Sequence, residues 1–175
     1  MKQNKYDDNV FFQKYSQMDR SVKGLEGAGE WKTLERLLPD FHDKHVLDLG
    51  CGFGWHCRYA AEHGAASVLG VDISAKMIAK ARSMGNEGII EYRCMPMEDI
   101  LLPEASFDIV LSSLAFHYTP DFQAVCRNVS RWLKPEGAFI FSVEHPVFTA
   151  QGTQDWHYDE SGQIMHWPVA VSYTH

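Results

Sequence analysis

From His45 onward, short apolar runs alternate with stretches whose apolar residues recur at helical spacing. His45-Val46-Leu47-Asp48-Leu49-Gly50 predicts a first strand that runs into Gly50-Cys51-Gly52-Phe53-Gly54. Trp55 to His63 predicts a helix, with Gly64 suited to its C-terminal end. Ser67-Val68-Leu69-Gly70-Val71-Asp72 predicts a second, buried strand. Ser74 is placed to N-cap a helix carrying Met77, Ile78 and Ala81 on one face, with Gly85 past its end. Ile89 to Cys94 predicts a third strand. Phe107-Asp108-Ile109-Val110-Leu111 predicts a fourth, continuously apolar as strands of a parallel sheet are when both faces are covered. Asp121 is placed to cap a long helix through Phe122, Val125, Val129 and Trp132-Leu133. Lys134-Pro135-Glu136-Gly137 then predicts a turn into a fifth strand, Ala138-Phe139-Ile140-Phe141-Ser142-Val143.

The flanks read differently. Phe11-Phe12 with Tyr15, and Trp31, Leu34, Leu37 and Leu38 ahead of Pro39, predict two helices joined through Gly24, Gly27 and Gly29. After the fifth strand, Gln154-Asp155-Trp156-His157-Tyr158 and Gln163-Ile164-Met165-His166-Trp167 flank Asp159-Glu160-Ser161-Gly162, a predicted hairpin with aromatic strands. The expected organisation is N-terminal helices over 1–44, an α/β core over 45–146 and a hairpin or lid segment over 147–175.

Composition narrows the function classes. The chain has 175 residues, 45% hydrophobic and 22% charged, which suits one folded domain. Sixteen Lys+Arg against 23 Asp+Glu give a formal charge of -7, with no basic block to track a phosphate backbone. No apolar run approaches the ~18–20 residues of a membrane span, and the start, Met1 to Asp8, lacks the apolar core of a secretory signal. Cys51, Cys57, Cys94 and Cys126 form no C-x-x-C pair, which predicts reduced thiols and a cytoplasmic setting. The nine histidines, His42, His45, His145, His157, His166 and His175 among them, lack compact ligand spacing, so no metal is expected.

Strand–helix alternation of this length calls for a parallel sheet with helices on both faces. In such sheets the ligand crevice lies beyond the carboxyl ends of the strands, where the strand order reverses. That rule selects Asp48 to Gly54, Asp72, Met97-Glu98, Ser112-Ser113 and Glu144-His145. Glycines between a strand and a helix let backbone approach a ligand and aim free N–H groups at something anionic or polar. A dinucleotide fingerprint would place a small third residue at 55, where this chain has Trp55, which disfavours NAD. Asp48, inside the strand end, would suit an ammonium group better than a pyrophosphate. Asp72, at the second strand end, is placed to accept hydrogen bonds from a ribose diol. Its competing reading is a helix cap, for which Ser74 is better placed.

The run Val46 to Gly54, Asp72, Phe107-Asp108-Ile109-Val110 and Leu133-Lys134-Pro135-Glu136-Gly137 together resemble class I S-adenosylmethionine-dependent methyltransferases, over about residues 45 to 146. The resemblance implies a Rossmann-like parallel sheet, here with its C-terminal strands missing or truncated. It implies S-adenosylmethionine as cofactor and S-adenosylhomocysteine as product. By that resemblance Gly50, Cys51, Gly52 and Gly54 wrap the methionine moiety, Asp48 holds its amino group directly or through water, and Asp72 grips the ribose. Ile73 and Met77 would border the adenine. The family's usual aspartate ahead of the adenine-reading pair is Pro96 here, which shifts that contact to Met97 and Glu98. Ser112 and Ser113 would approach the methionine part, and Leu114 to Tyr118 resembles an aromatic-histidine stretch beside the reactive methyl. Tyr15 and Arg20 lie in a segment that relatives fold over the cofactor, Arg20 being suited to its carboxylate.

The expected activity is in-line methyl transfer to a small-molecule acceptor, with His117 and His145 the candidate bases. The alternatives are a cofactor-binding but catalytically incomplete module and, further off, an NAD-linked oxidoreductase. An open edge on the fifth strand also predicts a homodimer formed through it.

Overall fold

Period-two alternation decides which way each strand faces. In β1 (His45–Leu49), Val46 and Asp48 point to one side of the sheet and Leu47 and Leu49 to the other, and all four are buried. The computed structural model describes residues 4–85, 88–145, 147 and 156–168, in two units, Met1–Ser142 and Val143–His175. The first unit contains β2 (Ser67–Asp72), β3 (Ile90–Cys94), β4 (Phe107–Ser113) and β5 (Leu133–Ser142) beside β1. The strand order is β3-β2-β1-β4-β5 and every pair is parallel. The order reverses between β1 and β4, which places the switch point beyond Leu49 and Ser113.

Helices α4 (Trp55–Glu62) and α5 (Ala75–Ser83) carry Cys57, Ala60, Ile78 and Ala81 into one core layer with Val46, Val68, Ile90 and Ile109. On the other face, α6 (Phe122–Trp132) buries Val125, Val129 and Trp132 against Leu47, Leu69, Val110 and Phe107. The predicted caps form: the Ser74 hydroxyl accepts the Met77 N–H at 3.2 Å, and Asp121 accepts the Ala124 N–H at 2.8 Å.

Two expectations change. The N-terminal segment is three short helices, α1 (Asn9–Ser16), α2 (Asp19–Val22) and α3 (Trp31–Leu34), with a 3₁₀ turn between the last two, in place of two. Isolated helices this short are marginal, and their apolar residues bury only by packing on the core. Lys134 to Gly137 is no separate turn but an irregular part of β5. Phe107 pairs with Leu133 and Ile109 with Ala138, so the extra β5 residues bulge out, and Glu136 takes φ +64°. An edge strand tolerates Pro135 there because no neighbour needs its missing N–H. Among the described residues β5 pairs with β4 alone.

In the second unit, β6 (His157–Tyr158) and β7 (Ile164–His166) pair antiparallel around Asp159 to Gly162, so the hairpin forms. Asp159 organises its turn by accepting from the N–H groups of Ser161 and Gln163 at 2.9 Å each. Gln154 and Asp155, and the strand-like run Val169 to Tyr173, lie outside the described residues. No helix among those residues is long and apolar enough to cross a membrane.

Candidate functional site

A cleft opens at the switch point, enclosing about 760 Å³ with the solvent at its mouth included. Each strand from β1 to β4 contributes residues at or just past its carboxyl end: Gly50 and Gly52, then Val71, Asp72 and Ile73, then Pro96, Met97 and Glu98, then Leu114 and Ala115. Met77 enters from the first turn of α5, and Tyr118, Thr119 and Pro120 from the 3₁₀ turn Phe116–Tyr118 and the residues after it. The remaining wall is Tyr6, from the 3₁₀ turn Lys5–Asp7. The walls are mostly apolar and the polar groups few, as in pockets that take one small organic ligand.

The glycine loop does not present a row of free N–H donors, as the sequence reading expected. The N–H groups of Gly50 and Cys51 both donate to the Val71 carbonyl, at 2.7 and 3.0 Å. That of Gly52 donates to Asp72 at 2.9 Å, and that of Gly54 to the Cys51 carbonyl at 2.8 Å. Three of these N–H groups are thus spent on the end of β2 and one within the loop, which makes a poor seat for an anion. Its glycines serve shape instead. Gly52 takes φ +54° and an added Cβ there would meet no atom within 4 Å, so a side chain would stand in the cleft.

Asp72 and Asp48 are the two acids the sequence put at this loop, and the fold separates them. Asp72 lines the cleft, one carboxylate oxygen accepting from Gly52 and the other from the Ser74 N–H at 2.8 Å. Ser74, not Asp72, caps α5, and the Asp72 carboxylate keeps acceptor positions facing the cleft, since it has about four and backbone takes two. Burial raises the Asp72 pKa, opposed by those two N–H bonds. Asp48 does not line the cleft. Alternation turns its side chain to the α4 face, where it is 1% exposed and accepts from the Cys57 thiol at 3.3 Å. Burial lifts its pKa to about 7, with Cys57 lowering it and Asp72 adding to the rise. Direct contact with a ligand's amino group is not what this placement provides.

Other expected residues brace the site from behind. Cys51 packs in the same buried layer as Cys57, and burial raises its thiol pKa to about 11. Ser112, buried, donates to the Leu49 carbonyl at 2.8 Å and ties the ends of β1 and β4 together. Ser113 donates to Glu30 at 3.4 Å and pairs with Ser142 at 3.1 Å. Gly54 is pressed against Tyr92, whose buried hydroxyl has no hydrogen-bond partner among the described residues. Trp55, where a dinucleotide fingerprint wants a small residue, begins α4 with the Arg58 guanidinium 4.4 Å over its ring. Arg20 forms an ion pair with Glu30, about 70% buried on both sides, and does not line the cleft. Tyr15 stands one layer out, edge-on to Tyr6 and Phe53 at 5.3 and 5.7 Å.

Of the candidate bases, His117 is half-buried on the turn that supplies Tyr118, with ring centroids 4.2 Å apart. His145 belongs to the second unit, where its Nδ1 accepts the Val147 N–H at 3.2 Å. Among the described residues no cluster of His, Cys, Asp or Glu is arranged to hold a metal ion.

The sequence reading missed Tyr6, Val71, Thr119 and Pro120. Tyr6 and Tyr118 meet hydroxyl to hydroxyl at 3.2 Å, and Thr119 donates to Glu98 at 3.0 Å, so two polar bridges join the walls. No signal marks Tyr6 in isolation, because its place depends on what Asp7 binds 67 residues away.

An adenosyl amino acid fits this donor set. Asp72 offers acceptors for a diol, Glu98 an acceptor for an exocyclic amine, and Ile73, Met77 and Met97 apolar faces for a purine. The hollow over Gly52 is a cradle that a Cβ would fill.

Comparison with known proteins bears on the same residues. Residues 47–141 match a family described as a methyltransferase domain. A solved Listeria monocytogenes structure, assigned as an S-adenosylmethionine dependent methyltransferase, superposes with a TM-score of 0.78 at 54% identity, over 81% of this chain and 67% of that one. The ubiquinone biosynthesis O-methyltransferase of Neisseria meningitidis serogroup C is 32% identical over 77% of this chain and 69% of its own. An uncharacterised Haemophilus influenzae protein is 37% identical over 82% of this chain, which spans 59% of that protein's length.

Proposed function

Because the chain belongs to the class I S-adenosylmethionine-dependent methyltransferases, we propose that the cleft binds S-adenosylmethionine and that the protein transfers its methyl group to a small-molecule acceptor. The observation that carries this reading is Asp72, fixed by two backbone N–H groups at the end of β2, with the Gly52 hollow beside it. When bound, the cofactor supplies an electrophilic methyl on a sulfonium that is its own leaving group. The chain's part is then to bind, orient and keep water out. Asp72 accepts the ribose diol, and Glu98, held by Thr119, faces the amine end. Tyr6 and Tyr118 close one side with aromatic surface. With its N–H groups already spent on Val71, Asp72 and Cys51, the loop is poorly suited to a phosphate, which separates this site from a dinucleotide site. His117 adjoins Tyr118 but does not line the cleft, so as a base for the acceptor it would have to act from behind that wall. A small-molecule acceptor agrees with the Neisseria relative's being a ubiquinone biosynthesis O-methyltransferase.

Calorimetry with S-adenosylhomocysteine tests the reading. The wild-type chain should bind, and Asp72→Ala should lose at least about 100-fold in affinity, the low end of the worth of two charge-assisted hydrogen bonds. Unchanged affinity would remove the ribose assignment. Release of S-adenosylhomocysteine in the presence of candidate acceptors separates turnover from binding alone.

A further inference from the structure

The segment that supplies Tyr6 is tied down at one residue. Asp7 follows Tyr6 in a 3₁₀ turn and extends its carboxylate over the start of α5. It accepts from the Ser74 hydroxyl at 2.6 Å, from the N–H groups of Lys76 at 3.2 Å and Ala75 at 3.4 Å, and from the Asn4 amide at 2.7 Å. The Lys76 ammonium returns the contact, donating to the Asp7 carbonyl at 2.6 Å and to Asn9 at 2.5 Å. A negative charge at a helix N-terminus, with N–H groups pointing at it, is favourable. Those bonds hold the Asp7 carboxyl below its ordinary range, although partial burial acts the other way. Ser74 is common to two jobs, for its hydroxyl donates to Asp7 while its N–H donates to Asp72. A run of hydrogen bonds therefore links Asp7, Ser74, Asp72 and Gly52, from the segment to the floor of the cleft.

We propose that Asp7 is a positioning residue that latches the segment 4–8 onto α5, setting Tyr6 as the movable wall of the cofactor cleft, and that cofactor and product exchange by release of this latch. The proposal rests on the cleft being the S-adenosylmethionine site. Tyr6 reaches the opposite side of the cleft at Tyr118, so its wall spans the opening. The segment itself is one 3₁₀ turn, too short to hold its place by its own backbone bonds. Asp7 and Lys76 supply the polar ties, and edge-on contacts of Tyr6 with Phe11 and Tyr15 supply the apolar ones.

The test is stopped-flow dissociation of S-adenosylhomocysteine from the full chain, with the melting temperature recorded for each variant. Asp7→Ala should speed dissociation about tenfold, as expected for losing a charge-assisted hydrogen-bond set. Asp7→Asn, which keeps one acceptor oxygen, should recover part of the loss. Lys76→Met should act in the same direction while leaving the Ser74 cap in place, so the test survives if Asp7→Ala folds poorly. Because Asp7 acts through Tyr6, Tyr6→Ala with Asp7→Ala should dissociate no faster than the faster of the two alone. Multiplying effects, or dissociation from Asp7→Ala within about twofold of wild type (less than the loss of one ordinary hydrogen bond), would overturn the latch and leave the cofactor reading standing. A wild-type chain that binds no S-adenosylhomocysteine would overturn both.

Discussion

Two aspartates near one glycine loop have opposite fates because of their depth in the sheet. Asp48 registers with Gly70, two residues short of Asp72, so both take one face but only Asp72 reaches the carboxyl edge. Asp72 ends β2 and opens on the cleft, whereas Asp48 lies within β1 on the face covered by α4. A buried carboxyl with a single thiol partner is held towards its neutral form. Its folded pKa, about 7, exceeds the ordinary unfolded value, so the native state binds the proton more tightly. The resulting stabilisation is complete at low pH and is lost as pH rises from about 4 through about 7. Asp48→Asn should therefore flatten the stability–pH curve over that window, on the order of a few kcal/mol, in urea melts at pH 5 and pH 8 (both values chosen to bracket about 7). A curve unchanged by the substitution would remove Asp48 as its cause. Gly54 makes a second prediction at this scale. It takes φ +72°, and an added Cβ would sit 2.2 Å from the Tyr92 hydroxyl. Gly54→Ala should cost about 2–4 kcal/mol, from overpacking and left-handed strain together. Tyr92→Phe removes the obstructing atom, itself buried without a partner among the described residues, and should restore part of that loss in the double variant.

At the scale of elements, secondary structure in the core follows local signals. Caps at Ser74 and Asp121 form where their residue type and the apolar spacing beyond them predict. Asp121→Ala should lower stability by about 1 kcal/mol, measured in denaturant, by leaving the first turn of α6 uncapped. The flanking elements were less legible for a physical reason. The short N-terminal helices have little intrinsic stability, so their bounds are set by the surface on which they pack. Lys134 to Gly137 carries turn-forming residues, yet neighbouring β4 draws the chain into a bulged strand, because pairing outweighs local preference. Arg20 looked suited to a ligand carboxylate by residue type, and Glu30, ten residues on, takes it instead.

For the whole molecule, a ligand that binds the folded state alone should raise its melting temperature by mass action. S-adenosylhomocysteine at ~100 times its dissociation constant should add about 2.7 kcal/mol, and NAD at equal concentration should add nothing measurable. A larger shift with NAD would reverse the distinction drawn from Trp55 and the glycine loop. The amino-acid sequence by itself determined the strand–helix alternation, the parallel sheet, the location of the crevice and the family. These rest on patterns of period and spacing that act within a few residues or a few turns. Only the tertiary structure decided which side chains reach the cleft. Tyr6 enters because Asp7 finds the start of α5, Thr119 because it meets Glu98, and Asp48, two residues deeper in the sheet than Asp72, is covered by α4. Such choices are made by contacts between residues distant in the chain, and no local pattern records them.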